Sequence, residues 1–137
     1  MNIGVMDAQG AGLGQSVIKR LRHEIGDLVY IIALGTNNAA TANMLKAGAD
    51  LGITGEEDIC LFCRKNTIDA LIGPVGIMCS GGINGEITAS ISMAVFEMEC
   101  IKYIIPLRKH GIYIPGTREL QIKDIINEIV QDIKKTI

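Results

Sequence analysis

A glycine-rich segment follows the first apolar run of the chain. Residues 7–15 read Asp-Ala-Gln-Gly-Ala-Gly-Leu-Gly-Gln, and an amphipathic pattern begins directly after them. Glycines let a phosphate approach the backbone, and the amides at a helix N-terminus carry partial positive charge. A glycine turn between a strand and a helix therefore predicts a site for an anionic group. The candidate contacts in this segment are Asp7, Gln9, Gly10, Gly12 and Gly14.

The glycine spacing does not identify a dinucleotide site. Gln15 stands where Gly-x-Gly-x-x-Gly has its third glycine. The spacing is nearer to Thr-Gly-x-x-x-Gly-x-Gly of short-chain dehydrogenases, but the Tyr-x-x-x-Lys pair of that class is absent. The residues four positions after the three tyrosines are Leu34, Leu107 and Thr117. A tight turn with close helix packing and no ligand is the alternative explanation.

The end of the second apolar run carries neutral polar groups. In nicotinamide enzymes an acidic residue at this place accepts hydrogen bonds from the ribose. Here the residues are Gly35, Thr36 and Asn37, which either bind a ribose or cap the following helix. This segment argues against ordinary use of NAD or NADP.

A second glycine-rich loop follows the fourth apolar run and is expected to face the first loop across a cleft. Its candidate contacts are Gly73, Pro74, Gly76 and Glu86. Glu86 is either a general acid or base, or a carboxylate in the first turn of a helix, where the helix dipole favours it. Arg108, Lys109 and His110 pair with phosphate or form a solvated turn.

The cysteines give little support to redox or metal chemistry. Cys60-x-x-Cys63 has no second Cys or His pair at ligand spacing, and it lies inside a predicted helix. We therefore expect free, structural thiols and no metal site. Cys79 lies in the second glycine loop, but no base can be placed beside it.

The elements that position these residues alternate along the chain. Apolar runs predict strands over 2–6, 29–34, 50–54, 68–72 and 101–105, and a short edge strand over 112–114 is the alternative that gives six strands. Helical patterns cover 15–25, 38–47, 56–65, 86–98 and 118–135, the last with Thr117 as the expected N-cap. This alternation predicts an α/β fold, a single Rossmann-like domain over 1–137. We expect a three-layer sandwich with a mostly parallel sheet of five or six strands, whose ligands bind at the carboxyl ends of the strands.

Composition excludes several classes of protein. The 137 residues are 48% hydrophobic and 20% charged with a net charge of −2, which excludes disorder. Lys and Arg are scattered, so we expect no nucleic-acid partner. No signal-peptide pattern or stretch of ~20 apolar residues is present, which predicts a cytoplasmic protein without a membrane partner.

Two predicted helices lack a polar face. Residues 38–47 carry Lys46 as their one charge, and residues 86–98 have apolar side chains on more than one side. A sheet covers one side of a helix, so the other sides need another cover. We therefore expect a homo-oligomer, most simply a symmetric dimer. Burial under the 76–85 loop and the chain termini is the alternative.

Five motifs occur in order along the chain: Asn-Ile-Gly-Val-Met-Asp-Ala-Gln-Gly-Ala-Gly-Leu-Gly, Ala-Leu-Gly-Thr-Asn, Leu-Lys-Ala-Gly-Ala-Asp, Ile-Gly-Pro-Val-Gly-Ile and Gly-Glu-Ile-Thr. In this set the chain resembles a family of short, uncharacterised bacterial proteins, mostly from anaerobic Firmicutes, classed as a domain of unknown function. The resemblance implies a Rossmann-like fold and a ligand cleft but no reaction. The family's first loop has glycines where this chain has Ala8 and Ala11, which narrows the space for a phosphate. Cys60 and Cys63 are not family cysteines.

These patterns lead to one main hypothesis and two alternatives. The main hypothesis is a protein that binds a nucleotide or another phosphorylated metabolite between residues 7–14 and 73–86. The first alternative is a non-catalytic small-molecule sensor or an oligomeric scaffold. The second is a small coenzyme A-binding domain. The sequence identifies no cofactor and no catalytic residue, so it does not decide whether the protein is an enzyme.

Overall fold

Five strands alternate with five helices in the computed structural model, which describes residues 1–137. The strands are β1 (Asn2–Asp7), β2 (Tyr30–Gly35), β3 (Leu51–Thr54), β4 (Ala70–Pro74) and β5 (Ile101–Ile105). The helices are α1 (Gly12–Ile25), α2 (Asn38–Ala47), α3 (Glu56–Lys65), α4 (Ala89–Glu97) and α5 (Ile122–Lys134). Single turns of 3₁₀ helix occupy Gly26–Leu28 and Val75–Met78. None of the helices is both long enough and apolar enough to cross a membrane.

All strand pairs of the sheet are parallel, and the strand order is β3-β2-β1-β4-β5. Val5 in β1 pairs with Ala33 on one side and Ile72 on the other. This is the Rossmann strand order without a sixth strand, and its direction reverses between β1 and β4. The Rossmann-like α/β fold expected from the sequence is confirmed.

The helices cover both faces of the sheet. Helices α1, α2 and α5 pack over one face, and α3 and α4 pack over the other. Isoleucines and leucines from strands and helices fill the two cores, such as Ile31 and Leu21 on the first face and Leu71 and Ile91 on the second. The apolar stripe predicted for the last helix is buried at Ile126, Ile129, Val130 and Ile133.

The short strand predicted over 112–114 is wrong. These residues lie in an irregular segment, 106–121, between β5 and α5. His110 and Gly111 both have positive φ and turn the chain away from β5. Pro115 follows and has no N–H for a strand ladder.

Three predicted helix starts are also wrong. Helix α1 begins at Gly12, inside the glycine-rich segment, and not at residue 15. Thr117 is not an N-cap, because its hydroxyl donates to the carbonyl of Ile114 at 2.6 Å and α5 begins only at Ile122. Helix α4 begins at Ala89 because the Thr88 hydroxyl accepts a hydrogen bond from the Ile91 amide at 3.3 Å. Glu86 therefore lies in the loop before α4 and not in its first turn.

One arginine connects the elements at the amino end of β2. The Arg22 guanidinium donates to the carbonyls of Gly48, Gly26 and Val29 at 2.8–2.9 Å. It also donates to the Asp50 carboxylate at 2.5 Å, which in turn accepts from the Ile31 amide at 2.8 Å. One planar cation thus connects the end of α1, the end of α2 and the start of β2.

Replacing Arg22 by lysine tests this tie. An ammonium is a single point of donation and cannot reproduce the planar set of bonds. We expect Arg22→Lys to lower the free energy of unfolding by about 2 kcal/mol, measured by urea denaturation. Arg20→Lys on the exposed side of α1 is the control, with an expected change within about 0.5 kcal/mol. Equal losses in the two variants would show that the Arg22 bonds add nothing beyond charge.

Candidate functional site

A cavity of about 420 Å³ lies at the carboxyl ends of β1 and β4, where the strand order reverses. Its walls come from the loop after β1, the loop after β4 and the irregular segment after β5. A volume of this size is typical of small-molecule sites. The position is also the one at which sheets of this order bind their ligands. The lining residues are Asp7, Ala8, Gln9, Gly10, Ala11, Gly12, Leu13, Pro74, Val75, Gly76, Cys79, Ser80, Gly81, Gly82, Ile83, Asn84, Leu107, Lys109, His110 and Ile112.

The carboxylate of Asp7 shapes the first wall. One oxygen accepts the Ala8 amide and the other accepts the Gly14 amide, both at 2.8 Å. The carboxylate thereby fixes the first turn of α1 against the end of β1. Burial raises the pKa of Asp7, although the two amides and the Lys109 charge oppose this rise. A proton on Asp7 would remove a negative charge from the cavity wall.

Three amides of the same wall remain without an acceptor in the protein. They belong to Gly10, Gly12 and Leu13, and all three residues line the cavity. The next amide, that of Gly14, is taken by Asp7. The first turn of α1 thus keeps free donors on the cavity side, which is the arrangement that binds anions.

The glycines of the predicted site fall into two groups. A Cβ on Gly14 would lie 2.7 Å from the sulfur of Met44, and one on Gly35 would lie 2.6 Å from the amide nitrogen of Thr41. These two glycines are required by packing. A Cβ on Gly10 or Gly12 would meet nothing within 4 Å, and neither residue has a positive φ. The fold itself therefore does not require glycine at these two cavity positions.

Backbone strain is concentrated around the cavity. Five residues other than glycine have a positive φ, and every one of them lines the cavity. They are Gln9, Ala11, Ile83, Asn84 and His110, with φ between 50° and 56°. This conformation costs about 1 kcal/mol for a residue with a side chain. Strain of this kind is found most often at functional sites.

Glu86 joins three loops at the edge of the cavity. Its Oε1 atom accepts the Gln9 amide at 3.0 Å, the Thr36 hydroxyl at 2.6 Å and the Asn37 side-chain amide at 2.9 Å. Burial raises the pKa of Glu86, but these three hydrogen bonds together lower it below its ordinary value. The side chain does not line the cavity. Glu86 is therefore an ionised side chain that connects the loops by hydrogen bonds, and it is unsuited to donate a proton.

Half of the residues predicted as contacts line the cavity. The predicted contacts that line it are Asp7, Gln9, Gly10, Gly12, Pro74 and Gly76. Those that lie outside it are Gly14, Gly35, Thr36, Asn37, Gly73 and Glu86. Asn37 caps α2 by accepting the Ala40 amide at 2.9 Å. Together with the bond to Glu86, this cap occupies the side chain, so the capping alternative is the one that the structure shows.

The sequence predicted only part of the third wall, which the irregular segment after β5 forms. Lys109 and His110 line the cavity, which agrees with the interpretation of the charged turn as a phosphate contact. Leu107 and Ile112 also line it, and the sequence analysis did not identify them. The signal that could have indicated them is the long stretch without periodicity between a strand and a helix. Arg108 lies outside the cavity and lines a neighbouring groove.

The cysteines of the Cys-x-x-Cys segment are core residues. Cys60 and Cys63 are buried between α3, α4 and the sheet. Burial, with the neighbouring thiols of Cys60 and Cys100, raises the pKa of Cys63 to about 11. Such a thiol is a poor nucleophile at neutral pH. Cys79 lines the cavity, with its sulfur 3.7 Å from the carbonyl oxygen of Val75.

The role of the Glu86 charge can be tested by pH. The ionised form stabilises the fold above the ordinary pKa of 4.5, and this contribution is lost as the pH falls through the lowered folded-state pKa. We expect Glu86→Gln to lose about 1–2 kcal/mol of unfolding free energy at pH 7. The difference in unfolding free energy between Glu86→Gln and the natural protein should become smaller when the pH falls below about 4. Urea denaturation across this range measures it.

The exposed Glu99, which has no hydrogen-bond or ion-pair partner, provides the matched control. We expect Glu99→Gln to leave the unfolding free energy unchanged at both ends of the pH range. A loss in Glu86→Gln that stays constant with pH would contradict a role for the charge.

Comparison with known proteins agrees with this architecture. One similar solved structure is a dodecameric FMN-dependent Ubix-like decarboxylase from Escherichia coli O157:H7. The TM-score is 0.54 at 12% identity, over 99% of this chain and 93% of the other, and at this identity the likeness shows the fold alone. No curated protein sequence matches the chain. The family model for Domain of unknown function (DUF3842) matches residues 2–137, and the chain therefore belongs to that family.

Proposed function

We propose that the protein binds a nucleotide or another phosphorylated metabolite in the cavity between β1 and β4. The observation that carries this proposal is the set of three unbonded amides, from Gly10, Gly12 and Leu13, on the cavity wall. An anion placed there satisfies donors that the protein leaves free. The absence of a side chain on Gly10 and Gly12 keeps these amides accessible.

The charges around the cavity favour a bound anion when the carboxyl group of Asp7 is protonated. Lys109 lies in the wall formed by the segment after β5 and supplies a positive charge. The Asp7 carboxylate lies beside the same amides and opposes an anion when it is ionised. Because the pKa of Asp7 is raised, proton uptake by this carboxyl accompanies phosphate binding more readily than at an ordinary aspartate.

FMN is the first ligand to test. The solved structure with a similar fold is described as FMN-dependent, and FMN is a phosphorylated nucleotide that carries a planar ring. Apolar residues that line the cavity, including Ile83, Leu107 and Ile112, offer a wall for such a ring. The phosphate would use the free amides of the β1 loop.

Nicotinamide dinucleotides fit less well. Thr36 and Asn37, the residues at the place of the usual ribose contact, are bonded to Glu86 and lie outside the cavity. A coenzyme A thioester remains the second phosphorylated class to include in a ligand screen. A sensor or scaffold that takes no phosphate is the competing function, and the same screen distinguishes it.

The test compares Gly12→Val with the natural protein. A ligand at 100 times its Kd stabilises a protein by about 2.7 kcal/mol, which a thermal-shift assay detects. We expect FMN or another phosphorylated ligand to raise the Tm of the natural protein. In Gly12→Val the branched side chain enters the cavity, so this increase should be lost although the protein stays folded.

Two further variants show whether the effect is specific. Ser16→Val adds a branched side chain on the exposed side of α1 outside the cavity, and it should keep the ligand response. Gly14→Ala should lose stability even without ligand, because its Cβ meets Met44 and Asp7. A full ligand response in a folded Gly12→Val protein would remove the glycine loop from the binding site.

We also propose that the protein is a homodimer that pairs through α4. Met93 and Phe96 on this helix are 62% and 70% exposed, and Ile101 beside it in β5 is 55% exposed. Glu97 is the one charged residue of α4. A second copy of the same apolar surface is the simplest cover for it, since two-fold pairing brings identical surfaces together. The dodecameric state of the protein with a similar fold supports self-association.

Light scattering with gel filtration tests the dimer. We expect a mass of twice the 14.7 kDa chain at micromolar concentration. Phe96→Lys should give the monomer mass, because a charge in the centre of an apolar interface is left without a partner. Leu28→Lys, at a similarly exposed apolar residue outside α4, should stay dimeric. A monomer mass for the natural protein would contradict the proposal.

A further inference from the structure

The irregular segment 106–121 forms a second concave surface beside the cavity. Irregular segments of this length are uncommon within a compact domain, and most of them are functional or disordered. Most of its residues are exposed, and a groove of about 200 Å³ lies along it. Leu107 and Ile112 line both the groove and the main cavity, so the two spaces adjoin.

Two arginines of this segment gather around one tyrosine. The guanidinium carbons of Arg108 and Arg118 lie 4.9 Å and 5.6 Å from the centre of the Tyr113 ring. The Nε of Arg118 also donates to the Tyr113 hydroxyl at 3.4 Å. Cation–π contacts of this kind hold each guanidinium in place but do not neutralise its charge.

No acid balances these two charges. Neither guanidinium has a carboxylate within 4.0 Å. Arg108 donates no hydrogen bond within the protein, and Arg118 donates only the one to Tyr113. Two like charges held beside one ring repel each other, and an anion between them relieves the repulsion. Guanidinium groups bind phosphate and carboxylate with paired donors.

The remainder of the groove is mainly apolar. Ile112, Ile114 and Leu120 line it together with both arginines. Thr117 also lines it, but its hydroxyl proton is used in the bond to the Ile114 carbonyl. A ligand that suits this surface therefore combines an oxyanion with an apolar body.

We propose that Arg108 and Arg118 form a second oxyanion site, which takes the phosphate or carboxylate of an apolar molecule lying in the groove. This site goes beyond the function proposed above, because it uses none of the glycine-loop amides. This site adjoins the main cavity at Leu107 and Ile112. Its occupant is therefore either a second molecule beside the ligand of the main cavity or the far end of that same ligand.

The test follows the arginine side chains by NMR in the natural protein. The probes are inorganic phosphate, butyl phosphate and butyrate, added at constant ionic strength. We expect the Nε–Hε signals of Arg108 and Arg118 to shift saturably, whereas that of the exposed, unpaired Arg64 stays in place. Butyl phosphate should bind several-fold more tightly than inorganic phosphate, because its chain covers the apolar wall. Saturation by butyrate as well would assign the site to oxyanions in general, and its failure would assign the site to phosphate.

Variants separate this site from the main cavity. Arg118→Gln should weaken butyl phosphate binding about tenfold or more, and Arg64→Gln, which removes the same charge elsewhere, should have no effect. Gly12→Val should also leave these shifts unchanged, so a failure of the glycine-loop proposal does not affect this result. Shifts of Arg108 and Arg118 no larger than that of Arg64 would overturn the proposal, and so would an Arg118→Gln variant whose Arg108 signal reports an unchanged affinity for butyl phosphate.

Discussion

A single carboxylate oxygen, Oε1 of Glu86, holds together the three loops that meet at the carboxyl edge of the sheet. Parallel strands bring their loops to the same edge but do not connect them, since the ladder ends where the strands end. Glu86 supplies a connection from the loop before α4 to the loops after β1 and β2. Its negative charge also raises the pKa of Asp7 in the cavity wall. The same group therefore contributes to the shape of the cavity and to the protonation of its other carboxyl.

The two ends of the sheet are stabilised in different ways. At the amino end of β2, Arg22 and Asp50 form a hydrogen-bonded ion pair that also binds backbone groups from α1, α2 and β2. At the carboxyl end, the walls contain left-handed residues and amides without acceptors. Polar groups are thus satisfied at one end and left available at the other. This contrast is the expected one for a sheet whose ligands bind at its carboxyl edge.

The alternation of elements could be predicted because apolar runs and amphipathic patterns are local signals. All five strands and five helices were placed in this way, but helix starts were not, since the capping hydroxyl of Thr88 competed with an equally plausible start at Glu86. The extra strand at 112–114 was wrong because its isoleucines are used by the cavity and the groove and not by a sheet. The cavity's position followed from the strand order.

The identity of the contact residues was less accessible. Gly12 and Gly14 look alike in the sequence, but Asp7 and Met44, the latter thirty positions after Gly14, pack against Gly14 and not against Gly12. Likewise, Thr36 and Asn37 leave the site because Glu86, far along the chain, binds both. Such distinctions depend on contacts between distant segments. The single sequence shows the residues but does not show these contacts.

The left-handed residues of the cavity wall have a consequence for engineering the protein. Glycine at Gln9 or Asn84 would relieve the backbone strain and so favour the folded state, but it would also widen the range of backbone conformations open to the wall. A looser wall presents its amides to a ligand in a less fixed arrangement and pays more ordering entropy on binding. Variants selected for heat resistance at these positions should therefore trade affinity for stability, whereas stabilising changes around Arg22 should leave affinity intact.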